Sequence, residues 1–291
     1  MIYLINYNSA AALRSLLEQE GLGMQKKFGQ NFLINPQIRN TLVETLNAQN
    51  GEDVWEIGPG LGAMTALLLE KGLNVKAFEI DKGFIRLLKQ LFSGDKNFSL
   101  IEGDVMKTWP ISFKEAAVNK NIFLLGNLPY NIAAALLADF IEQGCFFSRM
   151  VVTVQKEVAL RMAASAGSPD YSSFSVLCAS AYKVKPLMVI KRESFYPQPN
   201  VDSMGVLLEY KGAREYPVVL FPLVRALFAS RRKTIKNNLL AFLSSKYGKF
   251  KALDFCTAIL KENTVNENER AENLEFEAFL SLAKSIDNMR L

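Results

Sequence analysis

Between Met24 and about Lys211, short apolar runs alternate with segments whose apolar residues recur every three or four positions. The runs Val54–Ile57, Val75–Glu79, Ser99–Glu102, Ile122–Leu125 and Met150–Gln155 have the length and continuity of buried strands. Helical spacing fills Ala63–Glu70, Lys82–Phe92 and Ala133–Gln143 between them. Strands that are apolar along both faces, joined by helices, predict an α/β fold with a mostly parallel sheet covered on both sides. Two further strands, near Leu187–Ile190 and Val206–Tyr210, bring the expected sheet to seven.

The flanks read differently. Ser9–Glu20 carries Leu13, Leu16 and Leu17 on one face of a short amphipathic helix, ended by Gly21 and Gly23. Lys211–Pro217, with Gly212, reads as a linker; Pro222 then opens a helix, and the rest is helical in pattern. The chain therefore divides into an N-terminal arm (1–23), an α/β domain (24–211) and a small all-helical domain (212–291).

Composition narrows the chemistry. None of the 291 residues is histidine, which removes His-based triads, the usual zinc ligand sets and the commonest general base near neutral pH. Cys145, Cys178 and Cys256 stand apart, without metal or redox spacing, as expected of core residues in a reducing compartment. No run reaches membrane-spanning length and the apolar start, Met1–Tyr7, lacks the features of a signal peptide, so a cytoplasmic protein is expected. The formal net charge is only +5, but Lys183–Phe250 holds thirteen Lys or Arg against four Asp or Glu. Such a block points to a polyanionic partner.

Glu56-Ile57-Gly58-Pro59-Gly60-Leu61-Gly62 follows the first apolar strand and leads into a helix, a turn that brings backbone close to a ligand. Gly58, Gly60 and Ala63 also satisfy the dinucleotide fingerprint, so the loop alone is ambiguous. Glu79 ends the next strand about 20 residues on, where a carboxylate takes a ribose diol. Asp104 ends the third, placed for an adenine amine. Asn127-Leu128-Pro129-Tyr130 follows the fourth and resembles the Asn-Pro-Pro-Tyr/Phe motif of methyltransferases acting on planar amines. The lone pair of an sp² amine is delocalised. Acceptors at the Asn127 side chain and the Leu128 carbonyl favour its pyramidal form, Pro129 stiffens the loop, and Tyr130 offers a face to the base.

Together these segments resemble the small-subunit ribosomal RNA adenine N6,N6-dimethyltransferases of the KsgA type, from about Lys26 to Leu240. Lys27-Phe28-Gly29-Gln30-Asn31-Phe32-Leu33 matches the family's N-terminal cofactor segment, Gln155-Lys156-Glu157-Val158 a stretch after the fifth strand, and Phe195 to Ser203 its proline-rich loop. Arg231-Arg232-Lys233-Thr234, with Asn237-Asn238-Leu239, matches the C-terminal signature. Where the family has Ile-Ser-Thr after the catalytic loop, this chain has Ile132-Ala133-Ala134.

The resemblance implies a Rossmann-like class I methyltransferase fold with a C-terminal helical domain. It implies S-adenosylmethionine as cofactor, held at Asn31, Leu33, Gly58, Gly60, Glu79, Asp104 and Asn127, with no metal. Phe195 is implied as a second aromatic wall opposite Tyr130. The implied substrate is a pair of adjacent adenines in the 3′-terminal hairpin of small-subunit rRNA, within the pre-assembled small ribosomal subunit, acted on by a monomer. Arg225, Arg232 and Lys236 fall at spacings of seven and four, so a continuous helix would align them in a stripe beside Lys233 and Arg231, facing phosphate. Large-subunit rRNA dimethylation of the macrolide-resistance type, DNA adenine methylation and a mainly ribosome-assembly role are the competing readings. The proline-rich loop and Arg231–Thr234 weigh against the first, the small helical domain against the second, and intact Glu79, Asn127 and Tyr130 against the third.

Overall fold

The computed structural model describes residues 5–24, 29–116, 121–212 and 214–289; Lys27 and Phe28 of the N-terminal motif lie outside them. In chain order the elements are α1 (Ala10–Gln19), β1 (Phe32–Leu33), α2 (Pro36–Leu46), β2 (Asp53–Ile57), α3 (Ala63–Glu70) and β3 (Asn74–Glu79). There follow α4 (Lys82–Phe92), β4 (Phe98–Glu102), α5 (Val105–Ala116), β5 (Ile122–Asn127), α6 (Ala133–Glu142), β6 (Arg149–Gln155) and α7 (Lys156–Ala163). The remainder comprises α8 (Ser173–Ala181), β7 (Tyr182–Ile190), β8 (Phe195–Tyr196), β9 (Ser203–Tyr210), α9 (Leu220–Phe228), α10 (Ile235–Tyr247), α11 (Lys249–Glu262) and α12 (Phe276–Asn288).

Seven strands form one sheet in the order β4-β3-β2-β5-β6-β9-β7. β2 to β6 pair in parallel and β9 runs antiparallel to β6, so the mostly parallel seven-stranded sheet expected from the sequence is present. β7 lies at the edge, where exposed Lys183, Lys185 and Pro186 blunt further strand pairing. From β2 the chain steps outward to β3 and β4, then returns on the other side of β2 as β5. That reversal opens a crevice at the carboxyl ends of β2 and β5, and the register Ile57↔Gly126 sets Gly58 and Asn127 side by side at its mouth.

α2 begins at an Asn-Pro start: Asn35 Oδ1 accepts from the Ile38 amide at 3.1 Å and Pro36 occupies the first turn, where its missing N–H is not needed. Its buried face is Arg39, Leu42, Val43 and Leu46, a helical stripe headed by a charge. α1 buries Leu13 and Leu17 against Leu61, Phe84 and Leu87.

Contacts along the chain define two units, one of residues up to Ala159 with Val184–Tyr210, the other of Leu160–Lys183 with residues from Lys211 onward. Two expected boundaries change. α1 belongs to the α/β unit, through the apolar cluster just described. Leu160–Lys183, expected in the α/β domain, belongs to the helical unit, because Tyr171 and Val176 are buried there among residues of α9 to α12. Among the described residues no helix is long and apolar enough to cross a membrane.

Candidate active site

The crevice at β2 and β5 deepens into a cavity of about 290 Å³ within the α/β unit. Its walls include Asn31, Leu33, Gly58, Gly60, Glu79, Asp104 and Asn127, so the structure gathers every residue that the sequence assigned to a cofactor. Gly58 and Gly60 adopt φ of +68° and +57°. A Cβ on Gly60 would stand 2.9 Å from the Phe32 ring, so that position needs glycine for space as well as for conformation.

Glu79 holds the glycine loop from the neighbouring strand. One carboxylate oxygen accepts from the Gly60 amide at 3.2 Å, the other from the Ile80 and Asp81 amides at 2.9 Å each. Burial pushes its carboxyl up to about 7, although those N–H bonds pull the other way. Glu56, wholly buried behind the loop, is raised to about 7 by burial, opposed by the Thr65 hydroxyl (2.6 Å) and reinforced by the charge on Glu79. Asp104 caps the start of α5, its Oδ1 accepting from the Met106 amide at 3.0 Å.

Asn127 ends β5 with one half of its amide engaged. Its Nδ2 donates to the Asn31 carbonyl at 2.7 Å, while the Asn31 side chain donates to the Gly29 carbonyl at 3.0 Å. The Asn127 Oδ1 is buried with no hydrogen-bond partner. An acceptor left unsatisfied in this way costs about 1–3 kcal/mol, a cost removed when a ligand donor reaches it. The site thus offers acceptors at Glu79, Asp104 and Asn127, which suits a ligand presenting hydroxyl and amine donors.

The aromatic residues are placed less as expected. Leu128 is buried and its amide donates to the Thr153 carbonyl at 3.0 Å. Tyr130 is half-buried, its hydroxyl 2.6 Å from Ser203 Oγ, so it ties the Asn127–Tyr130 loop to the end of the proline-rich loop. The cavity wall beside Asn127 is made by Pro129, Asn131 and Ile132. Phe195 is not a wall. It is 1% exposed and packs with Leu33, Leu42 and Ile190, because the β1–β8 pairing, Leu33↔Phe195, turns it into the core. The cavity also includes two polar residues that the sequence reading passed over, Tyr7 and Arg39. A charge heading the buried stripe of α2 was the available signal for the second.

A family model described as ribosomal RNA adenine dimethylase matches residues 21–288. The chain belongs to that family.

The motif resemblance is thereby borne out. This dimethylase is 47% identical over 292 residues to the ribosomal RNA small subunit methyltransferase A of Treponema denticola, a match covering 98% of this chain and 97% of the relative. Its structure resembles a dimethyladenosine transferase from Plasmodium falciparum, with a TM-score of 0.73 and 28% identity over 85% of this chain and 94% of the other. A 23S rRNA methyltransferase, ErmE, shares the fold, with a TM-score of 0.62 and 20% identity, covering 88% and 99% of the two chains.

In the helical unit the expected basic stripe is broken. Arg225 lies on α9, Arg231 to Lys233 in the turn that follows, and Lys236 on α10, so no single helix aligns them. Arg231 pairs with Glu272 at 2.9 Å and Lys236 with Glu267 at 2.6 Å. Arg232 and Lys233 are exposed. Asn238, of the same signature, is buried and donates to the Leu227 and Ser230 carbonyls at 2.9 and 3.2 Å, holding the turn that carries them.

Proposed function

We propose that this dimethylase converts two adjacent adenines in the 3′-terminal hairpin of small-subunit rRNA to N6,N6-dimethyladenine, with S-adenosylmethionine as methyl donor. The unsatisfied Asn127 Oδ1 carries the reading: it is a preorganised acceptor at the end of the strand where the motif places the target amine. S-adenosylmethionine supplies an electrophilic methyl group on a sulfonium. Glu79 accepts the ribose hydroxyls, Asp104 accepts from the adenine amine, and buried Glu56 and Glu79 provide negative potential for a cationic ligand. Asn127 Oδ1 and the Leu128 carbonyl accept the N–H bonds of the target and leave its lone pair free for attack. Nothing in this scheme asks for a metal; placement and electrostatics do the work of the protein.

The target adenine leaves its stack to enter, which costs least in a single-stranded loop. Exposed Arg232 and Lys233 suit phosphate contacts that position the RNA without reading its bases. The pre-assembled small subunit, met by a monomer in the cytoplasm, is the partner in this reading. Incubation with labelled S-adenosylmethionine and undermodified small subunits, followed by nucleoside analysis, tests it. Labelled dimethyladenosine is expected in the small-subunit rRNA; label confined to large-subunit rRNA, to cytosine or to protein would overturn it.

The two raised carboxyls add a pH signature. Both ordinarily titrate near 4.5 and are raised to about 7 in the folded chain. The folded state therefore holds more protons between those values, and this contribution to stability is full below pH 4.5 and is lost as the pH rises to 7. Ribose hydroxyls and a cationic ligand favour the ionised carboxylates, so cofactor binding near pH 7 should expel protons. Calorimetric titration in buffers of different ionisation enthalpy measures the number released, and Glu79→Gln should reduce it. Release unaffected by that substitution would remove Glu79 from the ligand-linked groups.

A further inference from the structure

Arg39 combines three properties that a surface arginine does not. It is 5% exposed, it lines the cavity, and its Nε is buried without a hydrogen-bond partner. Its other contacts are neutral oxygens: Nη1 donates to the Leu33 carbonyl at 2.6 Å and to the Tyr7 carbonyl at 3.3 Å, and Nη2 to the Asn8 side chain. No carboxylate among the described residues lies in ion-pair range of it. A buried cation without a counter-ion is costly, and retaining one at the wall of a cavity makes physical sense if the opposite charge arrives with the ligand. The guanidinium is also fixed in place. Tyr7 donates its hydroxyl to the Leu61 carbonyl at 3.0 Å, so this one residue is tied through its side chain to the glycine loop and through its carbonyl to Arg39.

We propose that Arg39 is the counter-ion for the carboxylate at the amino-acid end of the cofactor, with Tyr7 and Asn8 positioning its guanidinium. The inference rests on S-adenosylmethionine being the ligand of this cavity and adds a recognition residue for one of its groups. Arg39 is the cationic side chain of the cavity wall, whereas Glu79 and Asp104 offer acceptors suited to the ligand's donors. The site therefore has a polarity, with acceptors for the adenosine portion and a cation for the carboxylate. A guanidinium also hydrogen-bonds a carboxylate through more than one N–H, a specificity that a lysine in its place would not reproduce.

Calorimetric titration of the full chain with S-adenosylhomocysteine and with its decarboxylated analogue tests the proposal. The two ligands share adenosine, thioether and ammonium, and differ only in the carboxylate. The wild-type protein should prefer S-adenosylhomocysteine by about tenfold to a hundredfold, the range of one charge-assisted hydrogen-bonded contact. Arg39→Leu should lose that preference, weakening S-adenosylhomocysteine by a similar factor and the analogue little. Asn8→Ala, which cuts one tether and keeps the charge, should retain a preference. Equal affinity of the wild type for the two ligands overturns the proposal without the need for any variant. So does an Arg39→Leu protein in which the preference persists, or one in which both ligands weaken alike, as a purely structural tether would require. A wild-type protein that binds neither ligand would count against the cofactor reading itself, and against this inference with it; binding without discrimination removes the inference alone.

Discussion

Replacing Asn127 by alanine is expected to lower the rate of adenine methylation by about 10²- to 10³-fold, the usual cost of deleting one preorganised polar group aimed at a reacting centre. The side chain works in two directions. Its Nδ2 fixes the Asn31 segment, and its Oδ1 waits, buried and unsatisfied, for a donor. Alanine removes both, but only the second bears directly on the amine. Single-turnover measurements at saturating S-adenosylmethionine and rRNA separate the two contributions. The rate should fall by the full factor while the half-saturating cofactor concentration moves far less. A variant with an unchanged single-turnover rate would show that the orphaned oxygen is not an acceptor for the substrate.

Phe195→Ala is expected to cost about 3–5 kcal/mol of stability, the range for deleting a buried phenyl ring. Phe195 is 1% exposed among Leu33, Leu42 and Ile190, and its loss would empty the space joining the β1–β8 pair to the main sheet. Urea unfolding measures this directly, and Phe195→Leu, which refills much of the volume, should recover most of the loss. The base-stacking role expected from the motif makes the opposite prediction: near-native unfolding with depressed turnover. A stability loss below about 1 kcal/mol, with activity lost, would restore the stacking role against the burial seen here.

The main sheet was legible because its strands are buried on both faces and so appear as uninterrupted apolar runs: Val54–Ile57 and Met150–Gln155 differ from the observed strands only at their ends. β1 and β8 were not legible, being two residues each, too short to show any period. α5 carries Pro110 within it, which breaks the pattern that reveals a helix. α2 was missed although Asn35-Pro36 and the spacing of Arg39, Leu42, Val43 and Leu46 encode it; counting Arg39 as polar hid the buried stripe. Gly58, Gly60, Glu79 and Asp104, which the structure gathers on one cavity wall, could be singled out because a loop after one strand and acids at the ends of the next two reflect local order along the chain. The single stripe of Arg225, Arg232 and Lys236 is absent for the converse reason. Their alignment assumed one helical phase across Ala229–Thr234, where the chain turns. Tyr7 and the core position of Phe195 depend on contacts between distant segments, which spacing along the chain does not encode.

The grouping of Leu160–Lys183 with the C-terminal helices sets an order on the birth of the molecule. Tyr171 and Val176 leave the ribosome long before Leu220, Leu239 and Phe279, among which they are finally buried. Vectorial synthesis therefore delivers a piece of the second unit in the middle of the first, and the core that piece joins is complete only once α12 has been made. Strands β7 and β9 can meanwhile complete the sheet, since β9 pairs with β6, already synthesised. The nascent chain thus carries an apolar segment exposed for the time needed to translate the last third of the message, a window in which chaperone binding or a slow stretch of codons would act on this protein's yield.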